Sequence, residues 1–185
     1  KFPWIAPALG LMIEKSGTRP YSLHTLSYLP EPEPKPNIRV EAAQNTEMVR
    51  SFIQFQDEKY KRTHCISVGT PSGWNYTVDL NRGAFMQAWR GDFANVTEMW
   101  YERGEPQLLY PSGLRSDISG KSSMATLPTP QSSWPDSSNI DYKGYSIDEK
   151  GFPYFRYQIG GTEIADHLTT DEKQITRTFQ FTSPA

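Results

Sequence analysis

Past Asn37, apolar and polar residues alternate in short runs, and turn-forming residues interrupt them roughly every ten residues, the pattern of an all-β domain. Alternation of period two puts successive side chains on opposite faces of a strand. Met48–Phe55 (MVRSFIQF) is a predicted strand, Gln56–Arg62 turns the chain, and Thr63–Val68 returns to complete a hairpin. Gly69-Thr70-Pro71-Ser72-Gly73 breaks the pattern. Trp74–Leu80 then sets Trp74, Tyr76, Val78 and Leu80 on one face, read as the inward one, against Asn75, Thr77 and Asp79 on the other. Asn81-Arg82-Gly83 has the composition of a tight hairpin loop leading into Ala84–Trp89, so these two strands should pair antiparallel. Arg90 and Asp92 are expected to shape a turn, followed by a short strand at Thr97–Tyr101, a turn at Glu102–Pro106 and another short strand at Gln107–Tyr110. No run has the length and period of a long helix.

Pro111–Asn139 is rich in Ser, Pro, Gly and Thr without periodicity and is expected to be a long, mobile loop or a bridge between two parts of the sheet system. Order resumes at Asp141 with two hairpin signatures, Asp148-Glu149-Lys150-Gly151 and the pair Gly160-Gly161. Gln174–Phe181 supplies a last alternating strand. At the other end, Pro30–Pro36 (PEPEPKP) favours polyproline II and spans about 20 Å as a semi-rigid rod. The expected organisation is an arm and Pro-rich spacer over 1–36 and a domain over 37–185 with a long loop near 111–139. The fold class is all-β, an antiparallel β-sandwich with an extended N-terminal arm.

Composition narrows the partners. The 185 residues suit one domain with a sizeable core, and a 13 % aromatic share offsets a modest 36 % hydrophobic content. A net charge of −2 leaves no electrostatic footprint for nucleic acid. The single cysteine, Cys65, excludes an intramolecular disulfide and a CxxCH haem attachment. Cys65 reads as a small buried residue, with His64 on the opposite face of its strand. The chain opens on Lys1 rather than Met and is read as a processed product or a fragment. Phe2–Ile13 is uncharged and apolar but shorter than the roughly 20 residues of a membrane helix. It is expected to lie on a membrane surface or a partner, or else to pack on its own domain.

Chemistry is thinly signalled. His24, His64 and His167 are scattered, and HExxH, GxSxG, P-loop and GxGxxG patterns are absent from the sequence. A glycosidase needs two carboxyl groups across a cleft, and Asp79, Asp92, Glu98 and Glu102 lie among Trp74, Trp89 and Trp100. The same carboxylates are the ordinary furniture of turns and solvated faces, and Trp74 and Trp89 suit a core equally well. Stacking of sugars on these rings without chemistry is the intermediate case.

The pattern VGTPSGWNYTVDLNRGAFMQAWRGDFANVTEMWYERG resembles an uncharacterised module of large bacterial extracytoplasmic proteins, which often carry c-type cytochrome or sugar-dehydrogenase-like domains. The matching points are Val68-Gly69, Asp79, Trp89 with Gly91 and Phe93, and Trp100 followed by Arg103-Gly104; Gly144–Tyr157 is similar to the family's later hairpin. The likeness covers residues 38 to 182. It implies an exported all-β module without catalysis or cofactor of its own, near redox machinery. The leading expectation is therefore a periplasmic or otherwise extracytoplasmic, non-catalytic subunit of an electron-transfer assembly, either free or membrane-associated. Any c-type cytochrome would be a separate partner. Trp4, Trp74, Asp92, Trp100 and Arg103 are the expected contact residues. The alternative is a carbohydrate-binding or glycoside-hydrolase-type domain using Trp platforms and paired carboxylates.

Overall fold

The computed structural model describes residues 36–101, 106–135 and 138–183. Trp4, the 2–13 run, the spacer through Lys35 and Arg103 lie outside them. The described chain is an antiparallel β-sandwich. The first sheet holds β1 (Arg39–Val40), β2 (Glu47–Ile53), β3 (Arg62–Gly69), β4 (Trp74–Asp79), β5 (Ala84–Asn95) and β6 (Tyr110–Asp117), with the single described helix, α1 (Thr97–Tyr101), between the last two. The second sheet holds β7 (Asp141–Ile147), β8 (Pro153–Ile159), β9 (Thr162–Thr170) and β10 (Ile175–Thr182). Each sheet is a meander in which chain neighbours pair, β2-β3-β4-β5-β6 and β7-β8-β9-β10, with β1 joining only the last two residues of β5.

The turns form where the sequence places them, for identifiable reasons. Asp79 Oδ1 accepts the N–H groups of Asn81 and Arg82, and Gly83 takes φ 56°, so the chain reverses within a few residues. Asp148 Oδ1 likewise accepts from Lys150 and Phe152, while Gly160 and Gly161 both have positive φ, as a two-residue hairpin loop requires.

Two cores result. Between the sheets, Ile66, Val68, Tyr76, Val78 and Leu80 pack against Phe155, Tyr157, Ile159, Ile164 and Leu168. The second core arises because the first sheet curls. Phe52 forms a parallel bridge with Leu108, and Leu109 N–H donates to Phe52 O at 3.1 Å, so the segment entering β6 meets β2. The curl encloses Ile53, Phe55, Cys65, Met86, Trp89, Phe93 and Leu109. Complete burial of each large side chain contributes roughly 1.5–3 kcal/mol.

The curl changes the reading of β4. Its inward face was expected to be the Trp74–Leu80 set alone, yet Asn75, Thr77 and Asp79 are buried too, on the inside of the curl. They are satisfied there by polar neighbours. Ser51, Ser67, Thr77 and Gln87 form a hydroxyl and amide ladder across four adjacent strands, at 3.2, 2.9 and 3.2 Å, which leaves Gln87 Oε1 without a partner. Asp79 receives Arg62 at 2.7 Å, and Arg62 also binds Glu58 and Gly120 O. Arg62's hydrogen bonds hold the Glu58 carboxyl below its ordinary range, and those carboxylates together raise the guanidinium further. A second arginine fastens the sheets. Arg177 on β10 forks onto Asp166 at 2.8 and 2.6 Å and donates to Gly83 O and Ser123 Oγ.

Three expectations are corrected. Thr97–Tyr101 is a short helix rather than a strand, because Asn95 Oδ1 accepts from the N–H and hydroxyl of Thr97 and caps the turn. Arg90-Gly91-Asp92 lies within the twelve-residue β5, which stays a strand through a bulge near Phe93 instead of turning there. The segment expected as loop from Pro111 begins with β6, leaving 118–135 and 138–140 irregular, and the first of these is pinned: Met124 enters the inter-sheet core and Trp134 Nε1 donates to Ser122 O.

Candidate functional site

The second sheet is narrower than the first, and this difference exposes a surface. Its cover ends at Arg90, whose guanidinium reaches Glu172 O in the β9–β10 turn at 3.2 Å. Among the described residues, β6 contributes nothing to the inter-sheet core and β5 nothing beyond Ala88.

Register decides which side chains share this uncovered face. Trp74 on β4 lies opposite Arg90 on β5, which lies opposite Leu114 on β6. Asp92 is paired with Ser112, and after the bulge Asn95 is paired with Tyr110. Period two places Tyr110, Ser112 and Leu114 on one side of β6. Glu98 of α1 accepts from Tyr110 Oη at 2.7 Å and from Leu108 N–H at 3.1 Å, which brings the helix carrying Trp100 against this same edge. Burial, the Glu98 hydrogen bond and its charge together push the Tyr110 phenol up to about 12, so it stays a neutral donor at any physiological pH.

Leu114 is 84 % exposed and Trp100 68 %, and Tyr110 is exposed as well. Asp92 is exposed, with Arg39 3.9 Å away. Trp74 is half-buried under the Arg90 guanidinium, 5.3 Å from its ring centre. The backbone beneath is rigid. Trp89 stacks on Phe93 and donates from Nε1 to Phe93 O at 2.8 Å, and a Cβ on Gly69 would fall 2.4 Å from the Phe93 ring.

The structure thus brings Trp74, Asp92 and Trp100 to one end of the first sheet. Trp4 and Arg103 lie outside the described residues. Sequence reasoning missed Leu114 because the chain from Pro111 was taken for loop, and it ended a short strand at Tyr110, where β6 in fact begins; the signal available was two large side chains four residues apart, Tyr110 and Leu114.

Of the four candidate carboxylates Glu102 lies outside the described residues, and the other three have separate surroundings. Asp79 is buried against Arg62, Glu98 holds Tyr110, and Asp92 stands in solvent. Trp89 is core, at 1 % exposure. Burial raises the Cys65 thiol far above its ordinary value, and Cys65 packs on Met86. His64 bonds only the adjacent Thr63, whereas His167 is held by Asp148 and stacks on Tyr154 at 3.7 Å. Among the described residues no group of His, Cys, Asp or Glu is arranged to hold a metal ion, and no helix is long and apolar enough to cross a membrane. Comparison with protein-family models, curated proteins and solved structures gives no match.

Proposed function

We propose that the protein is a non-catalytic binding module that joins a larger protein assembly through the β6 edge of its first sheet. The observation that carries this reading is the exposure of Leu114 and Trp100 beside an edge strand that, among the described residues, pairs with β5 alone. Large apolar side chains next to unpaired backbone groups are what a protein partner covers, and an edge strand left open invites pairing with another chain. Trp100 fits the anchor role, since aromatic side chains dominate interface energetics. Asp92, Arg90 and Arg39 supply a polar rim of both signs. That the assembly is extracytoplasmic and includes a c-type cytochrome rests on the sequence resemblance alone.

Tagged protein recovered from its native envelope fraction should bring down a stoichiometric partner, and Trp100→Ala combined with Leu114→Asp should cut the yield at least about tenfold with an unchanged circular dichroism spectrum. Retention of the partner by that folded double variant would refute the assignment of the surface. Both positions are exposed, so the substitutions leave the cores intact.

A further inference from the structure

We propose that the outer face of the second sheet, on a strand layer separate from the docking edge, binds a neutral oligosaccharide. This face carries a cavity of about 730 Å³, lined among others by Tyr154, Arg156, Gln158, Glu163, Ala165 and Gln180. Strand register explains the hollow. Across the sheet, Gly144, Arg156, Ala165 and Gln180 occupy one row, so two of the four positions have almost no side chain. A Cβ built on Gly144 meets nothing within 4 Å. The rows on either side carry Ser146, Tyr154 and His167 on one, and Asp141, Gln158 and Glu163 on the other. The cavity is lined from all four strands, a span of roughly 14 Å at about 4.8 Å between neighbours, and along it the small Gly144 and Ala165 positions alternate with the long side chains of Arg156 and Gln180.

The groups in the cavity are idle. Arg156, Gln158, Glu163 and Gln180 have no side-chain hydrogen bond or ion pair among the described residues. All four end in planar amide, guanidinium or carboxylate groups, which offer paired donors or acceptors. Adjacent hydroxyls of a sugar ring present the matching pair. Tyr154 supplies the remaining element: it lines the cavity and its ring is stacked on His167 at 3.7 Å, and an aromatic surface of this kind is one against which the apolar face of a pyranose packs.

Charge chooses among ligand classes. Lys143 and Arg156 are balanced by Glu163 and Asp141, so a polyanion gains little.

The test is isothermal titration of the protein with cellohexaose, xylohexaose, mannohexaose and chitohexaose, each to about 10 mM. Saturable binding to at least one is expected, with Kd near or below about 1 mM. Ala165→Trp, which fills the cavity from a solvent-facing position, should weaken that binding at least about tenfold. Arg156→Ala, exposed and unpartnered, should weaken it too and guards against misfolding of the first variant. Trp100→Ala should leave it unchanged, which separates this site from the docking edge. Absence of saturable binding to all four sugars, or binding that survives both cavity variants, would overturn the proposal.

Discussion

Asp148 shows how one side chain sets a turn and ties it to a pH. Its Oδ1 accepts the Lys150 and Phe152 N–H groups and its Oδ2 meets His167 Nε2 at 3.1 Å. Burial alone would raise its carboxyl, but the two backbone donors and His167 outweigh burial and hold it below the ordinary range. A carboxylate with a lowered folded-state value contributes stability that is complete above its unfolded value, about 3.9, and is lost as pH falls through the folded value. Asp148→Asn keeps the acceptor for the turn but removes the titration. The variant should melt below wild type at about pH 6, and the gap in Tm should close between about pH 4 and pH 2. A gap that stays constant over that range, followed by circular dichroism, would show that the charge adds nothing. The turn itself was legible in the letters Asp148-Glu149-Lys150-Gly151; the reach of His167 from β9 was not, because nineteen residues separate the partners.

At the scale of elements, β6 is held by an unusually close backbone contact. Gly91, at φ 116°, lies opposite Gly113, and a Cβ added to Gly113 would fall 2.1 Å from Arg90 O. Gly113→Ala should therefore push β6 off β5, lowering stability by at least about 2 kcal/mol in urea unfolding and releasing amide protons of 110–117 to exchange. Wild-type protection in that segment would disprove the tight pairing. This strand was hidden in the sequence because its alternation carries no apolar face: Tyr110, Ser112, Leu114 and Ser116 stand toward solvent, while Pro111 and Gly113 mark what reads as loop. An edge strand tolerates both residues, since Pro lacks a donor that no neighbour on that side requires. α1 was missed for a different reason. Five residues are too few to display a 3.6-residue period, and its only signal was the capping Asn95. Strands β2 to β5 and β7 to β10 were legible because their alternation coincides with turn residues.

At the scale of the molecule, a six-stranded sheet curls upon itself and a four-stranded one covers only part of its outside. The sandwich class followed from short alternating strands. The curl did not, because Asn75, Thr77 and Asp79 read as a solvent face until Leu108 and Leu109 close against β2 and supply a polar interior. From that mismatch in width comes the uncovered edge, where Trp74, Asp92 and Trp100 meet Leu114 and Tyr110. Of these, Trp74, Asp92 and Trp100 were visible as residues beside expected turns, while the edge that unites them depends on which strands the second sheet leaves bare. The role proposed for the protein turns on this edge, and hydrogen–deuterium exchange on the partner-bound complex examines it most directly. Protection should rise over residues 97–101 and 110–117 and stay unchanged over β7 to β10. Protection confined to the second sheet, or none over 110–117, would contradict docking through β6.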